Sequence, residues 1–124
     1  MKAVIDSDVL IDYLQGEPQA KEEIDRYSQA LYSIVSWMEV MCGADTEEEK
    51  SNAELLFRSL VKVELSAEIA RQAVDERKTL GLKLPDAVIL ATADCEGCIL
   101  VTRNTKDFDD SDPRVRIPYS IGGK

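Results

Sequence analysis

Lys2-Ala3-Val4-Ile5-Asp6-Ser7-Asp8-Val9-Leu10-Ile11-Asp12 is the stretch that decides the fold class. Its first part, residues 2–6, reads as a buried strand closed by a carboxylate. Val9, Leu10, Tyr13 and Leu14 then recur at helical spacing, and Gly16 stops the helix. A strand followed at once by a helix is the repeating unit of a parallel α/β sheet. In such sheets, sites lie beyond the carboxyl ends of the strands, which is where Asp6 falls. Asp8 reads as the helix N-cap and Asp12 as solvent-facing.

The same alternation continues along the chain. Pro18 suits a helix start, with Ala20, Ile24 and Tyr27 as its apolar face. Residues 31–35 form a second strand, and Ser33 or Ser36 caps the helix after it. Ser36 and Glu39 have the spacing of a capping box. Thr46, followed by three glutamates, opens a helix striped with Leu56, Phe57 and Leu60. Residues 61–65 alternate as a third strand. Ser66 caps a helix whose inner face is Ile69, Ala70, Ala73, Val74 and Leu80, stopped by Gly81. Residues 86–93 are apolar on nearly every side, which predicts a buried helix. Residues 98–102 give a fourth strand, and Val115 with Ile117 a short edge strand. The expected architecture is a single α/β domain over 1–124, with a parallel sheet of about five strands, helices on both faces, and a loose tail at 119–124.

Bulk properties narrow the chemistry. The chain has 124 residues, 44% apolar and 31% charged, with a net charge of −9. These values suit an ordinary globular protein with one core. No signal peptide is apparent and no apolar run approaches a membrane span, so a cytoplasmic setting is expected. Cys42 reads as core packing. Cys95 and Cys98 have CxxC spacing but lack a second pair or a histidine to complete a zinc site. The absence of histidine excludes Ser-His-Asp triads and leaves proton transfer to carboxylates and water. The acidic balance argues against broad nucleic-acid binding through a basic surface. Metal ions in an acidic cleft reverse that sign locally.

Four acids stand out as site candidates: Asp6, Glu39, Asp86 and Asp107. Carboxylates gathered from distant segments repel unless a cation lies between them, so a divalent metal site is the leading reading. Each acid has a plainer reading too. Glu39 could serve only as capping-box partner of Ser36. Asp86 could serve only as a first-turn acid complementing a helix dipole. Asp107 shares one loop with Asp109, Asp110 and Asp112, most of which must be solvated.

These residues together resemble the PIN-domain family, and in particular the short VapC-type toxins of toxin–antitoxin pairs. The resemblance rests on Val4 to Asp12, on Ser33-Ile34-Val35-Ser36-Trp37-Met38-Glu39-Val40 with Gly43, on Leu84-Pro85-Asp86 through Ala93, and on Leu100 to Phe108. It spans nearly the whole chain. It implies a PIN-like three-layer fold with an acidic pocket, Mg²⁺ or Mn²⁺, and ribonuclease activity. It also implies a small cognate antitoxin and a homodimer. Asp6, Glu39 and Asp86 fall on the family's first three acids, and Ser7 and Ser36 on hydroxyl positions beside the metal. Two departures stand out. Asp8 replaces a usual Asn. Asn104 stands where many members have Asp, leaving the fourth place to Asn104 or Asp107. Two other readings are a haloacid dehalogenase-like phosphatase, prompted by Asp6-Ser7-Asp8-Val9, and an inactive PIN-like binding module.

Overall fold

The computed structural model describes residues 1–121. The elements follow the order β1 (Lys2–Ile5), α1 (Ser7–Leu14), α2 (Pro18–Asp25), β2 (Gln29–Ser33), α3 (Ile34–Cys42), α4 (Glu47–Arg58), β3 (Val61–Val63), α5 (Ala67–Leu80), α6 (Leu84–Cys95), β4 (Ile99–Val101) and β5 (Val115–Arg116). This is the expected alternation. The strands form one sheet in the order β3-β2-β1-β4-β5, and every pairing is parallel. β1 is central, and Ala3, Val4 and Ile5 are completely enclosed.

The pleat of β1 divides the core into two layers. Ala3 and Ile5 pack with Val9, Leu10, Ala20, Ile24, Leu56 and Phe57 on the α1–α4 side. Val4 packs with Ile69, Ala73, Leu90 and Leu100 on the α5–α6 side. Successive strand residues point to opposite faces, so both faces carry apolar side chains and both need helical cover. The long helices are capped as their sequences dictate. Thr46 and Glu49 form a reciprocal capping box at α4, and Gly81 closes α5 in the left-handed region at φ 72°.

Several expectations need correction. β2 lies two residues earlier than the 31–35 reading. Ser33 accepts a hydrogen bond from Val35 N and caps α3, so Ser36 sits inside the helix and makes no capping box with Glu39. Asp6, not Asp8, is the N-cap of α1, with its side chain accepting from Ser7 N. Cys42 is exposed rather than packed in the core. On α5, Val74 and Leu80 are exposed while Glu76 is buried.

Asp12 departs furthest from expectation, being buried rather than solvent-facing. It is one of three enclosed acids that receive an arginine from the C-terminal segment. Arg103 pairs with Asp12, Arg114 with Glu76 and Asp94, and Arg116 with Glu23. Tyr119 belongs to this anchoring as well. It is buried and donates to Asp12 Oδ2 at 2.8 Å, so the chain is fastened through a residue assigned to the tail. Ser120 is exposed, Ile121 packs against the core, and Gly122 to Lys124 lie outside the described residues.

Candidate functional site

The carboxyl ends of β1 and β4 meet at the centre of the sheet. The connections from these two neighbouring strands diverge, one toward β2 and the other toward β5. That crevice is the standard binding place of an open parallel sheet. A cavity of about 460 Å³ opens there, lined by Asp6, Ser7, Asp8, Glu39, Asp86 and the segment Arg103–Lys106, with Ile11 at its edge.

Asp6 is held in place from three directions. Its backbone N–H completes the sheet by donating to Val101 O at 2.9 Å. Its Oδ1 accepts from Ser7 N at 2.7 Å, and its Oδ2 accepts from Thr102 Oγ1 at 2.7 Å. A carboxylate oxygen has two lone pairs, so each oxygen keeps one for another partner. Burial and the neighbouring Asp8 charge push this carboxyl up to about 7. Thr102 and Ser7 oppose the shift, and the Asp86 charge adds to it.

Asp8 lies in the first turn of α1. Its Oδ1 accepts from Val9 N at 2.7 Å and its Oδ2 from Arg103 N at 3.1 Å. Burial raises this carboxyl, while the two backbone donors and then the Arg103 charge pull it down. Asp86 enters from the first turn of α6, where Pro85 sets the helix start. Burial raises it first, then the Asp107 and Glu39 charges, with Lys83 partly offsetting them.

Glu39 comes from α3. Its surroundings are more open than its apolar sequence neighbours suggested, because Trp37 and Met38 are themselves exposed. Ser7 Oγ donates to Glu39 Oε1 at 2.6 Å and lies 2.9 Å from Ser36 Oγ. Ser7 and Ser36 are both buried, so this hydroxyl pair ties α1 to α3 beneath the cavity.

The fourth candidate position is divided. Asn104 lines the cavity, whereas Asp107 faces a neighbouring depression formed by residues 105–110. Asn104 Nδ2 donates to Asp107 Oδ2 at 2.9 Å, and Asp107 N donates to Asn104 Oδ1 at 3.2 Å. The amide thus shapes the turn after β4 with both of its polar atoms.

Sequence reading missed Thr102 and the part played by Asp8. Thr102 is fully enclosed, and its hydroxyl also accepts from Asn104 N at 3.1 Å. A threonine ending an apolar strand beside Asp6 was the available signal.

The donor set is entirely oxygen, the preference of hard cations such as Mg²⁺ or Mn²⁺. Among the described residues, no three His, Cys, Asp or Glu side chains close into a ready-made cage. None of the ion pairs among the described residues neutralises Asp6, Asp8, Glu39 or Asp86.

Helix α1 begins at Ser7, directly after Asp6, which leaves no room for the loop and hairpin a haloacid dehalogenase-like site needs there. Among the described residues, no helix is long and apolar enough to cross a membrane.

Comparison with known proteins agrees with the fold. The family model described as PIN domain matches residues 3–112. A toxin–antitoxin complex from Klebsiella pneumoniae contains a chain 38% identical, aligned over 96% of this chain and 99% of that one, with a TM-score of 0.89. The VapBC2 structure from Rickettsia felis, bound to a DNA fragment from its promoter, is 18% identical over 93% and 96%, with a TM-score of 0.80. VapBC-1 from nontypeable Haemophilus influenzae is 19% identical over 94% and 97%, with a TM-score of 0.79. The last two likenesses speak for the fold alone. No curated protein matches the chain.

Proposed function

This chain belongs to the PIN-domain family, and we propose that it is a Mg²⁺- or Mn²⁺-dependent endoribonuclease held in check by a small antitoxin. One observation carries this reading. Enclosed acids elsewhere in the molecule are given an arginine, as Asp12, Glu23 and Glu76 are. Buried Asp6 and half-buried Asp8 and Asp86 share a cavity, with Glu39 on its open side, and none of them has such an ion-pair partner among the described residues; burial raises Asp6, Asp8 and Asp86 above their ordinary values. An electrostatic conflict concentrated in one cleft is the mark of a functional site.

Asp6 and Asp86 would hold the ion, with Glu39 on the open side and Asn104 or Asp107 at the fourth place. When bound, the ion would supply Lewis-acid charge at the phosphate and a lowered pKa for an attacking water. The chain's own groups do the rest. Thr102 and Ser7 N fix the direction of Asp6. Ser7 Oγ orients Glu39, whose solvent-open carboxylate would serve as the proton acceptor. Lys106 at the cavity rim supplies positive charge for the flanking RNA backbone.

The Klebsiella relative is recorded within a toxin–antitoxin complex. By extension, a neighbouring gene would encode this chain's inhibitor. A homodimer and a cytoplasmic setting complete the proposal.

The test is cleavage of RNA by purified protein with Mg²⁺, Mn²⁺ or EDTA, followed by analysis of the product ends. We expect 5′-phosphate and 3′-hydroxyl ends, and loss of cleavage in a folded Asp6→Asn variant. Products with 2′,3′-cyclic phosphate would overturn the water-attack mechanism. Absence of both cleavage and a Mn²⁺-induced thermal shift would favour the inactive binding module.

A further inference from the structure

Asp12 has no task in the chemistry above, yet it is among the most enclosed acids of the chain. Arg103 Nε donates to its Oδ2 at 2.7 Å and Arg103 Nη2 to its Oδ1 at 2.9 Å. Tyr119 adds a third donor at 2.8 Å. The pairing is a two-pronged fork, the strongest geometry available to a guanidinium.

The location of Arg103 gives this fork its meaning. Arg103 lines the same cavity as Asp6, Asp8, Glu39 and Asp86. Its backbone N–H already donates to Asp8 Oδ2. Asp8 and Asp12 are four residues apart on α1, so they share one face with their side chains about 6 Å apart. The nearest alternative partner for the guanidinium is therefore Asp8, one turn closer to the cavity.

We infer that Asp12 is a positioning residue that holds the Arg103 guanidinium at the cavity wall, away from a direct ion pair with Asp8, and so sets the cavity's affinity for a divalent cation. A guanidinium stays charged throughout the working pH range. Freed from Asp12, it pairs with Asp8 and neutralises one of the four cavity carboxylates. The cation then meets a weaker field and an internal competitor. Tyr119 strengthens the hold by donating to Asp12 Oδ2, the same oxygen that accepts from Arg103 Nε. The replacement of a neutral residue by Asp8 is what makes the restraint necessary, since a neutral side chain there would attract Arg103 far less. The inference rests on the reading that this cavity binds a divalent cation.

The experiment measures Mn²⁺ binding to the metal-stripped full chain, by electron paramagnetic resonance of free Mn²⁺. It compares wild type, Asp12→Asn, Arg103→Gln and the double variant. Removing Asp12 should weaken binding by about tenfold or more, because a full positive charge moves onto Asp8. Arg103→Gln should stay within about threefold of wild type, and so should the double variant, where nothing is left to intrude. A purely structural role for Asp12 would leave the double variant as weak as Asp12→Asn, and that result overturns the inference. Wild-type affinity in Asp12→Asn overturns it as well.

If Asp12→Asn does not fold, Tyr119→Phe loosens the same carboxylate by one hydrogen bond. It should weaken Mn²⁺ binding by about threefold, with the loss cancelled by adding Arg103→Gln. No loss, or a loss that Arg103→Gln leaves in place, overturns the inference. Failure of wild type to bind Mn²⁺ would remove the cation reading itself. Wild-type binding with an indifferent Asp12→Asn would remove only the role given to Asp12.

Discussion

Thr102 Oγ1 donates to Asp6 Oδ2 at 2.7 Å, joining two residues 96 apart in the chain. Both are buried, and each directly follows a central strand. The bond therefore connects the edge of the sheet's hydrogen-bond ladder to the acid at the heart of the cavity. Thr102→Val keeps the shape but deletes the donor, leaving Asp6 Oδ2 and Asn104 N short of a partner. The expected cost is about 1–3 kcal/mol in denaturant unfolding. Stability equal to wild type would show that water replaces the hydroxyl without loss.

The pH dependence of the metal-free protein follows from Asp6. Its carboxyl sits at about 7 in the fold against 3.8 in the unfolded chain. Between those values the folded form keeps a proton that the unfolded form has released. The contribution is full below about pH 4 and is lost as pH rises toward 7. Asp8 and Asp86 are displaced in the same direction, and Asp94 is pushed up to about 6 mainly by burial. Thermal melts without metal should therefore weaken from pH 5 to pH 8. Asp6→Asn should flatten that slope and gain on the order of 1–3 kcal/mol at pH 8. A wild-type protein that grows more stable across this range would contradict the assignment.

Glu39 separates binding from folding. It is exposed, and among the described residues its side chain is held through Ser7. Glu39→Gln should change stability by no more than about 0.5 kcal/mol. On the proposed function it should still lower cleavage by about a hundredfold, as loss of a proton acceptor does. Calorimetry and a single-turnover RNA assay read the two quantities separately. A variant that cleaves like wild type would take Glu39 out of the mechanism.

Asn104→Asp tests the unusual fourth position. The substitution removes the Nδ2 donor to Asp107 and sets a second carboxylate against it. Metal-free stability should fall by about 1 kcal/mol. Mn²⁺ should restore more stability to the variant than it gives wild type, because the new charge faces the cavity. An equal Mn²⁺ shift in both proteins would place residue 104 outside the cation's reach.

Arg114 is the test of the framework away from the site. It gathers Glu76, Asp94 and Asp112 at 2.6–2.7 Å. Arg114→Gln strands the buried Glu76, and breaking such a pair costs about 3–5 kcal/mol when fully enclosed. With the Arg114 side chain 31% exposed, about 2–3 kcal/mol is expected at pH 7 in urea unfolding. The loss should shrink in acid, as the partner carboxyls protonate. A loss that is the same at pH 7 and pH 4 would point to packing rather than charge.

The architecture was legible wherever local chemistry settles structure. Thr46 and Gly81 mark helix ends through short-range bonds and backbone limits, and those ends stand where expected, while α6 begins at Leu84, two residues before the expected start at Asp86. Asp6, Glu39 and Asp86 were legible as candidates from their places beside strands and helix starts. Asp12 was not, because the partners that make its burial tolerable, Arg103 and Tyr119, are 91 and 107 residues away. Glu76 escaped for the same reason, since it depends on Arg114. The caps of α1 and α3 were misplaced by a few residues because neighbouring Ser and Asp side chains all suit an N-cap, and the strand's end decides among them. Periodicity reports which side chains are apolar, and it is silent about distant counter-charges.

The position of β1 between β2 and β4 bears on how the protein comes into being on the ribosome. Synthesis delivers β1 first, and domains fold from the N-terminus as they emerge. The crevice cannot close early, because its other wall arrives with β4 and the Thr102–Asn104 segment, nearly a hundred residues later. A nascent chain therefore carries Asp6 and Glu39 without a closed cavity until synthesis is nearly complete. Any inhibitor made alongside it gains that interval in which to be ready.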